Sequence, residues 1–290
     1  MLAAIRLQAP TLSVRQLCAL VGVSRSWYRA RPAALVPTQE DTALRDVIER
    51  LVLAFPGYGY RRVTHALVRD GWTINHKKVL RVMREESLLC RLQRQFVTTT
   101  DARHHSPVYP NLLAGVVLER LDQAWVADIT SIRLPTHFVY LASILDAYSR
   151  RCRGPRSRGG RLSRDIDTAR TLAALEHALA RRQPTAGLVH HADRGVQYAS
   201  SLYVDRLRQA GATVSMAAPG NPYDNATAAS FFKTLKRAEV ALNNYRTFDE
   251  AQAQIGRFIE DVYNDKRLHS SLGYVPPAEF EATLVRKAKR

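Results

Sequence analysis

Two aspartates in this sequence stand where a carboxylate is costly to place. Asp128 lies inside the alternating, β-rich run AWVADITSIRL, and Asp193 ends the short apolar run GLVHHAD. A carboxylate within an apolar strand is unfavourable unless it sits at a strand end, is paired, or holds a metal. Asp146, in the second strand THFVYLASILDAYSR, lies nearer a strand end, where a structural hydrogen bond is the simpler reading. Thirty-five residues separate Asp193 from Ala229, which lies near the start of a predicted helix, ATAASFFKTLKR. Lys233 and Lys236 follow Ala229 at i+4 and i+7, on the same helix face. This stretch reads as most of a metal-dependent site for cutting a phosphodiester.

The elements around these residues read as a mixed sheet with flanking helices. AWVADITSIRL and THFVYLASILDAYSR form a strand pair across a Pro-containing turn. Asp167 caps the helix TARTLAALEHALARR, whose apolar stripe includes Leu172, Leu175 and Leu179. The strand GLVHHAD, the helix SLYVDRLRQAG stopped by Gly211, and the strand TVSM follow in alternation, which predicts an α/β fold. Thr247 and Glu250 make a capping box for FDEAQAQIGRFIEDVYND, with Phe248, Ile255, Ile259 and Val262 as its buried face. The basic end RKAKR is expected to fray. RCRGPRSRGGR (151–161) holds five Arg, three Gly and one Pro and cannot make a central strand.

Residues 1–36 and 40–90 read as helical. Ser13 and Gln16 have capping-box spacing, with Val14, Leu17, Leu20 and Val21 as the apolar stripe. Gly22 interrupts, and Ser24 can cap a second helix, SRSWYRA. That is a helix-turn-helix pattern, with Arg25 and Arg29 on the second helix for DNA. The two-proline run 31–39 is a linker. Thr42–Ala54, YRRVTHALVRD and the Asn75-capped HKKVLRVMREE make a second helical unit. On its last helix Lys77 or Lys78, Arg81 and Arg84 share one face and suit phosphate contact. Arg91, Arg94 and the loop pair His104–His105 fall in a connector. The domains are read as 1–36, 40–90, 91–120 and 121–285.

Composition agrees with a polyanionic partner. The 290 residues carry a net charge of +17, of which residues 1–110 contribute +9 and residues 111–290 +8. An excess of this size points to nucleic acid. Cys18, Cys90 and Cys152 are far apart with no CxxC, so neither a disulfide framework nor a zinc knuckle is supported. No apolar run is long enough for a membrane span, and a cytoplasmic, nucleoid-associated protein is expected.

The series AWVADIT, LDAYSR, HHADRGVQY, SMAAPGNPYDNA, SFFKTLK and YNDKRLHSSLGYVPPAEF resembles the insertion-sequence transposases of the OrfB type, relatives of retroviral integrases. Upstream, FPGYGYRRVTHALVRDGWTINHKKVLRVMREESL resembles their helical DNA-binding domain. The resemblance implies a ribonuclease-H-like mixed sheet preceded by an all-α helix-turn-helix region. It implies an Asp, Asp, Glu set binding two Mg²⁺ (or Mn²⁺) ions, with Asp128 and Asp193 as the first two members. It also implies double-stranded DNA as substrate and a homo-oligomer on that DNA. Lys233 and Lys236 resemble family lysines that grip DNA.

The chain departs from the family where it matters. Ala229 occupies the Glu position, and alanine cannot ligate a metal. Glu239 is ten residues further along and cannot substitute. Ala238 replaces a second family-typical acid. Segment 151–161 replaces an apolar third strand, and a frameshift that later returns to frame would produce it. Arg267 and His269 match the family pattern and are read as structural contacts of the last helix. The expectation is a transposase of impaired activity, and the alternative is a catalytically inactive DNA-binding remnant or regulator.

Overall fold

A computed structural model describes residues 13–26, 39–90, 108–152, 162–164, 167–218 and 225–288. Arg29, Arg91, Arg94, His104, His105 and residues 153–161 lie outside the described residues. The chain divides into two compact units, residues 1–47 and residues 48–290.

In the first unit, helix α1 (Val14–Val21) has the expected reciprocal capping box between Ser13 and Gln16. Gly22 ends it in the left-handed conformation at φ 69°, which glycine adopts without a steric cost. Leu20 departs from the expected stripe, being 69% exposed while Cys18 is buried. Two residues are about 200° around a helix, so these side chains point to opposite sides. Arg25 is exposed at the start of the next helical turn.

Helix α2 (Gln39–Ala54) begins earlier than the apolar periodicity suggests, with Glu40 and Asp41 in its first turn, where the helix dipole favours acids. In the second unit, α3 (Tyr60–Arg69) and α4 (His76–Glu85) pack together through Val63, Leu67, Val79, Val82 and Met83. The Asn75 side chain accepts the Lys77 N–H at 2.8 Å and caps α4.

The sheet has the order β3-β2-β1-β4-β5. β1 (Ala124–Arg133) pairs antiparallel with β2 (Phe138–Asp146) and parallel with β4 (Val189–Ala192), and β4 pairs parallel with β5 (Thr213–Met216). This is the ribonuclease-H-like mixed sheet that the motifs implied. Because β1 alternates, Val126 and Ile132 face one layer and Trp125 and Ala127 the other. The first layer holds α8 (Ala226–Ala238), with Phe231 and Leu235, and α9 (Phe248–Arg257), with Ile255. The second holds α5 (Thr168–Arg182), α6 (Val196–Ala199) and α7 (Ser201–Gln209). Each Leu, Ile or Phe buried this way contributes about 1.5–3 kcal/mol.

The strand that follows segment 151–161 lies at the edge of the sheet and not at its centre. β3 (Leu162–Ser163) is two residues long and lies at the sheet edge, against Tyr140 and Leu141. An edge position has a single ladder, so shortening it costs less pairing than shortening an inner strand. Cys152 adds an isolated bridge to Leu145. The Asn264 side chain meets the Cys152 backbone like a strand partner, accepting its N–H and donating to its carbonyl, both at 3.0 Å.

α9 continues into a π-helical turn, Phe258–Asn264. The last helix, α10 (Pro277–Ala288), includes Arg286 and Lys287, so most of the basic end expected to fray is helical. Its Glu281 is buried and binds Ser149, Arg151 and Arg182. No described helix is long and apolar enough to cross a membrane.

Candidate active site

The parallel register of β1 and β4 sets Ala127 against Ala192, so the next residues, Asp128 and Asp193, come side by side on neighbouring strands. Alternation along β1 turns Asp128 to the face covered by α8. The Asp128 carboxylate accepts the Ile129 N–H at 2.7 Å. Burial, then the charge of Asp193, pushes its pKa up to about 7, against the opposing pull of that N–H and of Lys236. Burial is the larger cause, and repulsion from the Asp193 charge adds to it.

Asp193 lies in a tight turn. Its Oδ1 accepts the Gly195 N–H at 2.9 Å, and a Cβ at Gly195 would stand 2.9 Å from that oxygen. A side chain at 195 would therefore displace the Asp193 carboxylate from this position. Arg194 Nε donates to the Ala217 carbonyl at 2.9 Å and ties the turn to the end of β5.

α8 contributes the remaining wall. Ala229, Lys233 and Lys236 are all exposed, while Ala228, Phe231, Phe232 and Leu235 are buried beneath them. Glu239 is tied elsewhere, accepting the Tyr245 hydroxyl at 3.0 Å. Asp146 has the structural role expected of it: it accepts the N–H groups of Asp122, Tyr148 and Ser149 at 2.7–2.9 Å.

Three buried polar groups were not singled out from the sequence. Ser143 faces Asp128 directly across the β1–β2 ladder. Tyr198 is buried, and the charges of Asp128 and Asp193 add to burial in raising its pKa well above the usual phenol value. Asn225 Nδ2 donates to the Ala127 carbonyl at 3.4 Å. Ser143 Oγ, Tyr198 OH and Asn225 Oδ1 are all buried with no hydrogen-bond partner among the described residues. The spacing of Asn225, one helical turn before Ala229, was a usable signal; the register that selects Ser143 was not.

Among the described residues, no three His, Cys, Asp or Glu side chains converge to hold a metal ion. The donors that strand register and the Asn225 bond bring to Asp128 are all oxygens: two carboxylates, an amide carbonyl and one hydroxyl. That set fits a hard divalent cation such as Mg²⁺ or Mn²⁺. The paired histidines are not part of it. His190 bonds Tyr203 OH at 3.0 Å and His191 bonds Ser215 Oγ at 2.8 Å, both buried.

Of the basic residues read as DNA contacts, Lys77, Arg81 and Arg84 are exposed on α4 and Lys78 is half-buried. Arg81 also lies 3.8 Å from Glu85. Arg267 and His269 are buried structural residues. The Arg267 guanidinium lies over the Tyr58 ring at 5.5 Å, and His269 meets the Tyr263 ring edge-on at 4.8 Å.

Residues 119–222 match the model of one integrase core domain family, residues 210–277 match a second, and residues 39–96 match an HTH-like domain. The chain is 35% identical to a 31 kDa protein of insertion element IS600 from Shigella sonnei, over 91% of this chain and 97% of that one. It is 35% identical to the transposase for insertion sequence element IS904 from Lactococcus lactis, over 77% and 87%. It is 31% identical to the transposase InsF for insertion sequence IS3A from Escherichia coli, over 93% and 94%.

Proposed function

Because this chain belongs to the insertion-sequence transposases that carry an integrase core domain, we propose that Asp128 and Asp193 are its catalytic acid pair and that Ala229 stands where a third carboxylate would complete the set. The reaction class is phosphodiester cleavage at the element's ends, followed by transfer of the freed 3′-hydroxyl to a second DNA site. The single observation that carries the assignment is the parallel register that sets Asp128 and Asp193 side by side on neighbouring strands.

Asp128 and Asp193 would hold Mg²⁺ or Mn²⁺, two ions when a third acid is present. A bound ion supplies Lewis-acid stabilisation of the attacking and leaving oxygens. The protein's own residues do the rest. Lys233 and Lys236 hold the DNA backbone beside the aspartates, and Arg25, Arg29, Lys77, Lys78, Arg81 and Arg84 hold it further away. Alanine at 229 leaves cleavage severely impaired. The domains follow the order 1–36, 40–90, 91–120 and 121–285. The protein works as a homo-oligomer on double-stranded DNA in the cytoplasm, associated with the nucleoid.

Restoring the carboxylate with Ala229→Glu tests this. Mg²⁺-dependent cleavage of DNA carrying the element's ends should rise well above that of the parent. If the parent already cuts as fast, the site assignment is wrong. A second reading, a DNA-binding protein without turnover, is favoured by Ala229 itself. It predicts salt-dependent, sequence-specific binding to terminal repeats with no cleavage.

A further inference from the structure

Asn225 immediately precedes α8, one turn before Ala229. Its side-chain amide has two ends, and the structure distinguishes them. Nδ2 donates to the carbonyl of Ala127, the residue before Asp128. Oδ1 is buried and has no hydrogen-bond partner among the described residues. A buried carbonyl oxygen left unbonded is costly, so its position calls for a reason. The bond to β1 anchors the amide beside Asp128. The same strand register puts Asp193 next to Asp128, so the oxygen belongs to the neighbourhood of both carboxylates.

A further observation marks this neighbourhood as polar by construction. Ser143, paired with Asp128 across the β1–β2 ladder, has its Oγ buried with no hydrogen-bond partner among the described residues. Buried polar atoms without partners are few in native folds, and here Ser143 Oγ and Asn225 Oδ1 belong to residues that meet β1 at Asp128 and Ala127.

We infer that this chain holds one divalent cation through Asp128, Asp193 and the amide oxygen of Asn225, with Asn225 taking the part that a carboxylate at position 229 would play. The inference rests on the reading of Asp128 and Asp193 as the metal-holding pair. Amide carbonyls are ordinary ligands of hard cations, though they bring no charge. Two carboxylates and an amide give a donor set of charge −2, against −3 for three carboxylates. The ion is therefore held more weakly, and a second ion is not held at all without DNA. On this view the substitution at 229 removes one ligand and leaves a reduced metal site.

Titration of the full chain with Mn²⁺ alone, followed by electron paramagnetic resonance of the free ion, tests this without any catalytic readout. The parent should bind one Mn²⁺ per chain. Asn225→Leu should weaken binding about tenfold, and Asn225→Asp, which adds charge at the same atom, should tighten it about tenfold. Circular dichroism melts of both variants confirm that each is folded. Asp128→Asn and Asp193→Asn should each abolish binding. If both Asn225 variants bind as the parent does while the aspartate variants lose the ion, Asn225 is not a ligand and the aspartate pair stands. If the parent's binding survives Asp128→Asn and Asp193→Asn, the underlying reading of the pair falls as well. A parent that binds no Mn²⁺ overturns the inference.

Discussion

The backbone N–H of Leu268 donates to the hydroxyl of Tyr58 across 2.8 Å, between groups 210 residues apart in sequence. The bond joins the loop before α3 to the segment that follows the π-helical turn. Tyr58 is buried, with the guanidinium of Arg267 at 5.5 Å and that of Arg62 at 5.9 Å from its ring centre. Around it, Arg62 donates to the Leu268 carbonyl at 3.2 Å and His65 stacks on Tyr274. Arg69 forms two bonds with Glu279, at 2.7 and 3.2 Å. The helical α3–α4 pair is thereby keyed to the end of the catalytic core.

Tyr58→Phe keeps the ring and removes the acceptor. The Leu268 N–H is then left unsatisfied in a buried place, which should cost about 1–3 kcal/mol. Urea denaturation of parent and variant measures it, and an unchanged midpoint would mean that the bond contributes nothing.

Glu281 should be among the most sensitive charged residues. It accepts from Ser149 at 2.7 Å, Arg151 at 2.8 Å and Arg182 at 3.1 Å, all while buried. Glu281→Ala removes the acid partner of Arg151, while Arg182 keeps Asp122 at 2.9 Å and Asp146 at 3.5 Å, so the loss should stay below the ~3–5 kcal/mol of a buried pair broken outright. A thermal melt reads the loss. Glu279→Ala, which removes an exposed partner of Arg69, should cost about 1 kcal/mol or less by the same assay.

Lys233→Ala and Lys236→Ala should weaken DNA binding without changing its sequence preference. For every phosphate that is no longer neutralised, the slope of log K against log salt should flatten by about 0.9. Fluorescence anisotropy at several salt concentrations gives the slope, and an unchanged slope in both variants would remove these lysines from the DNA interface.

Acid should unfold the protein through its buried histidines. Burial pushes His190 and His269 down to about 3, from an ordinary value of 6.5. Below pH 6.5 the unfolded chain takes up protons that the folded chain refuses. Their contribution is thus complete above pH 6.5 and is lost as pH falls toward 3, each group adding a slope of up to about 1.4 kcal/mol per pH unit. Denaturant midpoints between pH 7 and pH 4 should show the decline, and His190→Gln should make it shallower.

Much of the site was legible because its signals are local. Asp128 stood out as a carboxylate in an apolar strand, and Asn75, Asp167 and Thr247 as caps, since each depends on near neighbours in the chain. Leu20 misled for a local reason too. An eight-residue helix has room for more than one apolar stripe, and periodicity does not say which one is covered. Ser143 could not be ranked, because its importance comes from facing Asp128. The cost of the altered third strand also depended on its place at the sheet edge, which strand order decides.

By itself the sequence determined the family motifs, the order of the elements, the two aspartates and the alanine at 229, because residue type and short spacing carry those. Only the tertiary structure decided that Asp128 lies beside Asp193 and opposite Ser143. Only it showed that Asn225 reaches β1 and that Tyr58 holds Leu268. Those relations depend on strand register and helix packing. Both are set by burial of apolar faces far apart in the chain, which residue spacing alone does not encode.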